Sequence, residues 1–319
     1  MRRRELLRRH VCVGFCAFIV TIVYCSWAFA QVPQKYQKKK TTAKDPITGF
    51  AGDTDLGATY NGLGLRFRLF AGYQWRLYPH KNRALENNFI RVGPFFSITP
   101  ANIGVGGFIR IQPMSILNFG ASYRYQLYFP LFTSGVLFKN LDAVHKAFKG
   151  VDGHLDGQKR INQQLDNTIK DNGGKRVFVH GQVADVQGTF QVIFKGVLAV
   201  VNVRFMWLSM SYSDTNNSEI FFDPVIDTMI NKEDVVLNLT ALLGYELKPF
   251  RFVLANTYIK AYGSGEFNWS AGPGVQWQMT EKFWKLRQPS LLFLTRWFID
   301  HRYRLGAFPN IAVLFTATM

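Results

Sequence analysis

The chain has 319 residues, 48% of them apolar and 15% aromatic, with a formal charge of +17 at pH 7. It is too long for one small core, and after residue 30 no apolar run is long enough to be a membrane helix, so contact with lipid would have to be made by strands. So basic a balance invites a nucleic-acid partner, but the export leader described next argues against one; anionic lipid headgroups outside, or anionic solutes inside, fit better.

Arg2, Arg3, Arg4, Arg8 and Arg9 precede an apolar stretch from Val11 to Trp27, and Ala28-Phe29-Ala30 follows as a small-x-small cleavage site. Residues 1–30 are therefore predicted to be a signal peptide, with an uncleaved anchor helix as the alternative because the apolar stretch is long. Cys12, Cys16 and Cys25 all lie in this leader, so the mature chain would carry no disulfide and no Cys ligand for a metal. Loss of the leader would remove five Arg and Glu5 and leave a charge of +13. Residues 31–55 are polar and basic, with a run at Lys38, Lys39 and Lys40, and read as a flexible periplasmic N-terminal segment.

The barrel is predicted over residues 56–319. From Asn61 to Tyr78 the apolar positions Leu65, Phe67, Leu69, Ala71, Tyr73, Trp75 and Leu77 alternate with Arg66, Arg68, Gln74 and Arg76. Side chains alternate faces along a strand, so one face is apolar and the other largely cationic. Phe89 to Ile98 and Ile103 to Gln112 follow, separated by Thr99-Pro100-Ala101-Asn102. Pro113-Met114-Ser115 breaks the pattern, and Ile116 to Phe129 resumes it with Asn118, Ser122, Arg124 and Gln126 on the polar face. Val183 to Lys195 and Val197 to Tyr212 flank a turn at Lys195-Gly196. Val235 to Lys248, Arg251 to Tyr262 (ambiguous in phase and compatible with a bulge), Phe267 to Met279, Leu291 to Tyr303 and Asn310 to Met319 complete the set.

Residues 130–176 differ in character. They are charged, Gly-bearing and helix-compatible around Gln158 to Leu165, and far longer than an ordinary connection. In a barrel such an insertion belongs to the extracellular face, as a lid, a lumen plug or a plain surface loop. Eleven clear runs are visible, and barrel parity requires an even number. Either residues 46–59 supply a twelfth, or Phe89 to Gln112 is one bent strand and the count is ten; the break at Pro100 favours twelve.

Leader, alternating strands, aromatic-rich apolar faces and the contrast of long loops with short turns together resemble a Gram-negative outer-membrane β-barrel protein over about residues 60 to 319. Ile109 to Leu117 has the look of a periplasmic hairpin in such barrels. The chain ends in Met319 and not in the usual terminal aromatic. The resemblance implies an all-β, antiparallel transmembrane barrel of twelve strands, contact with the bilayer and its anionic headgroups, and insertion by the outer-membrane assembly machinery.

No cofactor or metal motif is present, and no nucleophile–base constellation surrounds the histidines. Asp300-His301 are adjacent, so on one strand they would face opposite sides; His180 near Asp185 is the other pair considered. The inward faces are predicted to carry Arg66, Arg68, Arg76, Arg110, Arg124, Arg204 and Arg296, with Asp185, Glu246 and Asp300 as counter-charges. Two readings stay open: an anion-favouring pore or binding cavity, and a filled lumen cross-linked by Arg–carboxylate contacts. The expected function is a porin-like channel or binding protein for small anionic solutes, or a structural barrel, without enzymatic activity. A membrane-embedded lipid hydrolase and a soluble secreted β-sandwich are the alternatives.

Overall fold

The computed structural model describes residues 48–60, 64–78, 88–130, 136–140, 177–212, 219–223, 228–279, 282–283, 286–301 and 310–318, with isolated positions between them. The predicted signal peptide, the N-terminal segment up to residue 47 and, apart from Gln163, the helix-compatible stretch of the 130–176 loop lie outside the described residues.

Twelve long strands form the barrel: β1 (Gly49–Tyr60), β2 (Gly64–Arg76), β3 (Phe89–Ile98), β4 (Asn102–Met114), β5 (Leu117–Tyr128) and β6 (Val179–Phe194), then β7 (Val197–Tyr212), β8 (Glu233–Leu247), β9 (Phe250–Ala261), β10 (Phe267–Gln278), β11 (Leu286–His301) and β12 (Asn310–Thr318). Each pairs antiparallel with the next, and β12 returns to β1 in a register running from Asp53↔Thr318 to Tyr60↔Ile311. The sheet has no open edge, so every strand finds hydrogen-bond partners on both sides, as a chain immersed in lipid requires. The architecture is that of an outer-membrane β-barrel.

An even strand number places the start of β1 and the finish of β12 at the same end of the barrel. Turns at Ser115–Ile116, Lys195–Gly196 and Lys248–Pro249 lie at that end, and the connections over 129–178 and 213–232 at the other. We refer to these as the short-turn and long-loop ends. Lys195 (φ 47°) and Gly196 (φ 87°) both take left-handed backbone conformations, which makes a two-residue turn whose twist matches the flanking strands. Gly106 meets a different need: a Cβ there would fall 2.1 Å from the carbonyl oxygen of Tyr123, so only glycine lets β4 and β5 approach at this point.

The outer face is apolar over its middle. Leu243, Leu254, Phe205 and Phe293 are 40–59% exposed, apolar side chains left uncovered among the described residues. Trp75, Tyr245 and Trp277 mark its short-turn edge, and Tyr125, Trp207 and Trp297 its long-loop edge. Val197 to Trp207 on β7 spans roughly 25 Å of vertical height at ordinary strand rise and tilt, about the thickness of a barrel's lipid-facing band.

The structure corrects the sequence reading at several points. The barrel begins at Gly49, not at 56, because Asp53 and Asp55 are strand residues facing inward and not part of a solvated tail. The expected count of twelve strands holds, with Thr99 turning the chain between β3 and β4: its hydroxyl accepts from the backbone N–H of Asn102 (2.9 Å) and of Ala101 (3.1 Å). β4 continues through Pro113 to Met114 by means of a register shift after Ile111. β9 is regular against both neighbours, so the ambiguous phase from Arg251 hides no bulge. The bulge lies instead where β10 meets β11, between Trp269 and Ser270.

A second, three-stranded sheet lies at the long-loop end. Leu137–Phe138, from the 130–176 insertion, pairs with Ile220–Asp223, which pairs with Thr228–Asn231. Leu137, Phe221 and Ile230 pack with Tyr128, Val183, Met206, Met210, Val236 and Ile259, all inward-facing barrel residues, in one buried apolar cluster. Two long loops thus contribute to a plug over the β5–β9 side of the lumen. The Tyr128 hydroxyl donates to Asp223 at 2.7 Å. Asp234 accepts from the backbone N–H groups of Gly263 (2.6 Å), Val235 (2.8 Å), Asn231 (3.1 Å) and Ser264 (3.2 Å), which ties the plug, the start of β8 and the β9–β10 turn together.

Candidate functional site: an arginine-lined lumen

Strand alternation delivers the charged residues to the interior, and cross-strand pairing decides which of them meet. Asp55 on β1 lies directly opposite Arg68 on β2, and Glu246 on β8 directly opposite Arg251 on β9. Asp185 on β6 is opposite Ser122 on β5, with Arg124 and Arg204 one diagonal step away.

The result is a repeated unit, one carboxylate held by two cations. Asp55 binds Arg68 at 2.6 Å and Arg66 at 3.5 Å. Asp53 binds Arg91 at 2.9 Å and also Arg110. Asp185 binds Arg124 at 2.5 Å and Arg204 at 2.8 Å, and accepts from the Ser122 hydroxyl at 2.6 Å. Glu246 binds Arg251 at 3.1 Å and has the exposed Lys248 ammonium at 4.0 Å. Each unit retains about one positive charge, since a single carboxylate faces two groups that are charged at neutral pH.

Aromatic rings stiffen these arginines. Arg110 and Arg68 lie over the Phe70 ring (5.5 and 6.0 Å to its centroid), and Arg124 over Phe95 (5.7 Å). Phe70 contacts Phe95 and Phe108 at centroid distances of 4.6 and 5.2 Å. Stacking and ion pairing together fix guanidinium planes that would otherwise be free to turn.

Between the four units lies a cavity of about 760 Å³. Its wall includes Asp53, Asp55, Arg68, Arg110, Arg124, Asp185, Arg204, Glu246 and Arg251, with neutral polar positions at Gln187, Gln276, Ser290 and Thr316. Lys248, Met279 and Pro289 also line it, so it reaches the short-turn end.

Of the residues predicted to line the lumen, Arg66, Arg68, Arg110, Arg124, Asp185, Arg204 and Glu246 come together in these units. Arg76 shares the inward phase of β2 but is its last residue and donates to the Tyr78 carbonyl at 3.2 Å, at the short-turn rim. Arg296 reaches the Thr257 hydroxyl at 3.5 Å on the lumen wall, apart from the cavity. Asp300 is a correction: the shift beside Trp269 pairs it with that outward-facing tryptophan, so the alternation that turns Arg296 inward does not carry to it. His180 and Asp185 are likewise separated. The imidazole Nδ1 meets the Tyr125 hydroxyl at 2.7 Å on the outer face, while Asp185 is inside.

Sequence reasoning did not assign Asp53, Asp55, Arg91 and Arg251 to the site. Asp53 and Asp55 sit two apart, the spacing of one strand face, but among Gly, Ala and Thr the apolar partner face is faint. Arg91 and Arg251 were legible once their strands' phase was fixed.

No protein-family model matches the sequence, and no curated protein matches it. By structure the chain is similar to the NanC porin (TM-score 0.37, 8% identity, 84% of this chain and 98% of that one). It is similar also to the translocator domain of the autotransporter NalP from Neisseria meningitidis (0.38, 10%, 94% and 96%) and to LpxR from Salmonella typhimurium (0.36, 7%, 84% and 99%). Likeness at this level carries no argument about activity, and what the lumen does has to be argued from its own residues.

Proposed function

We propose that this protein is a porin-like barrel of the outer membrane, with its short-turn end in the periplasm, whose lumen attracts and holds small anionic solutes. One observation supports this reading above the others: four inward carboxylates are each held by two cations around a cavity of about 760 Å³. A purely structural filling would be served by one-to-one pairing. The surplus makes an interior potential that favours anions and repels cations, by the logic of charged rings in channels. On this reading the protein is not an enzyme; its chemistry is electrostatic.

The test is uptake by proteoliposomes. Negatively charged sugar acids should enter or bind in preference to neutral sugars of the same size, and cationic amino sugars should be the poorest. Equal uptake of all three would remove the anion reading and leave a neutral channel. Absence of uptake and of binding for all three would favour the structural barrel.

A further inference from the structure

The two ends of the lumen differ in a way that the anion reading does not require. At the short-turn end the cavity is bounded by Gln278, Met279, Pro289 and Lys248, the last with its side chain 82% exposed. At the long-loop end the inward faces of β5 to β9 change character. Gln187 and Arg204 give way to Val183, Met206, Leu208 and Met210, and these are covered by Phe221 and Ile230 of the three-stranded sheet. Phe221, Ile230 and Val183 have no solvent exposure. On this side of the lumen a charged solute moving along the axis would leave a cationic, polar cavity and meet a buried apolar plug, which strips its hydration without replacing it.

The plug is held to the wall by the buried apolar cluster and by hydrogen bonds, and not by the barrel's strand ladders. Its strands pair with one another and not with the barrel, and their described polar links to the barrel include Tyr128–Asp223, Ser264 Oγ–Met229 carbonyl (2.7 Å) and the backbone contacts of Asp234. The barrel sheet is closed without it.

We propose that the lumen is a one-ended binding vestibule for a small oxyanion, a carboxylate or phosphate, which enters from the short-turn end, and that the three-stranded sheet shuts the vestibule off from the long-loop end until it is displaced. This rests on the anion reading for the ligand class but not for the direction of access. Arg68, Arg110, Arg124 and Arg204 present the donors; the phenylalanine platform keeps the planes of the first three fixed, and Asp185 holds Arg204.

The test uses a single reporter. All three cysteines fall in residues 1–30, so Gln187→Cys introduces the one thiol of the remaining chain, on the cavity wall and outside the ion-paired units. In cells expressing the full chain, labelling by a small membrane-impermeant anionic thiol reagent is followed from outside in intact cells and from both sides after permeabilisation, with the unsubstituted chain as control. The vestibule predicts labelling at least tenfold faster once the short-turn end is reachable. Phe221→Ala, or Tyr128→Phe should that variant fold poorly, should raise the rate in intact cells by a similar factor. Inorganic phosphate at millimolar concentration should slow labelling from the short-turn end. Equal rates in intact and permeabilised cells would overturn the proposal, as would absence of labelling under both conditions. One-sided labelling with no difference between anionic and cationic reagents would uphold the direction of access and overturn the ligand class.

Discussion

Asp53 accepts a hydrogen bond from Arg91 Nη1 at 2.9 Å, across 38 residues of chain and two strand boundaries. Arg91 is almost wholly enclosed, with 8% of its side chain exposed, and its Nε and Nη2 both donate to Gln74. A guanidinium in that position needs its carboxylate, and β1 supplies it.

Asp53→Asn should therefore destabilise the barrel. Removing one partner of a buried pair typically costs about 3–5 kcal/mol, and the partial exposure of Asp53 and its second cation Arg110 set the expectation at the lower end of that range. The temperature at which the folded form is lost on a semi-native gel should fall, with Arg110→Gln clearly milder. An unchanged transition would show that the lumen solvates Arg91 without help.

Asp185→Asn and Asp300→Asn separate the two placements of these carboxylates. Asp185 holds two arginines, so its loss should lower stability by about 3 kcal/mol. Asp300 faces outward beside Trp269, and its replacement should leave stability within about 0.5 kcal/mol. Denaturant midpoints of the refolded proteins check both, and a larger effect at Asp300 would reverse the register argument.

The faces are tested by Leu254→Arg and Thr257→Arg on β9. Leu254 is 56% exposed on the outer surface and Thr257 is buried inside. A cation facing mid-bilayer lipid costs roughly 2–4 kcal/mol in barrels. Leu254→Arg should impair insertion into vesicles, whereas Thr257→Arg should insert and alter the lumen instead. Normal insertion of Leu254→Arg would argue against a membrane-facing outer surface.

Asp234→Ala removes the acceptor for four backbone N–H groups. Amide exchange should accelerate over Thr228–Asn231 and Gly263–Gly265 while β1 to β4 keep their protection, because the barrel ladders do not depend on this side chain. Uniform loss of protection would mean that plug and barrel unfold as one unit.

Much of the fold was legible because alternation is a strong signal where both faces speak. In β2 the outward Leu65, Phe67 and Leu69 and the inward Arg66 and Arg68 fix the phase from either side. β1 fails this test, since Gly49, Ala51, Gly52 and Ala58 leave neither face distinct, and its two aspartates resemble a polar tail until β2 and β12 flank them. Asp300 was misplaced for a different reason: a bulge changes alternation by one residue, and nothing in Trp297-Phe298-Ile299-Asp300 announces it. The pairing of Leu137–Phe138 with Ile220–Asp223 joins loops some 80 residues apart and was invisible to any local pattern.

The most direct measurement of the central claim is the reversal potential of single openings in a potassium chloride gradient. It should be made on the refolded wild-type barrel and on a variant with Arg68, Arg110, Arg124 and Arg204 changed to Gln. The account predicts brief openings whose reversal potential lies toward that of chloride in the wild type and moves toward that of potassium in the variant. Cation-selective openings in the wild type, or a selectivity that the four substitutions leave unchanged, would contradict it.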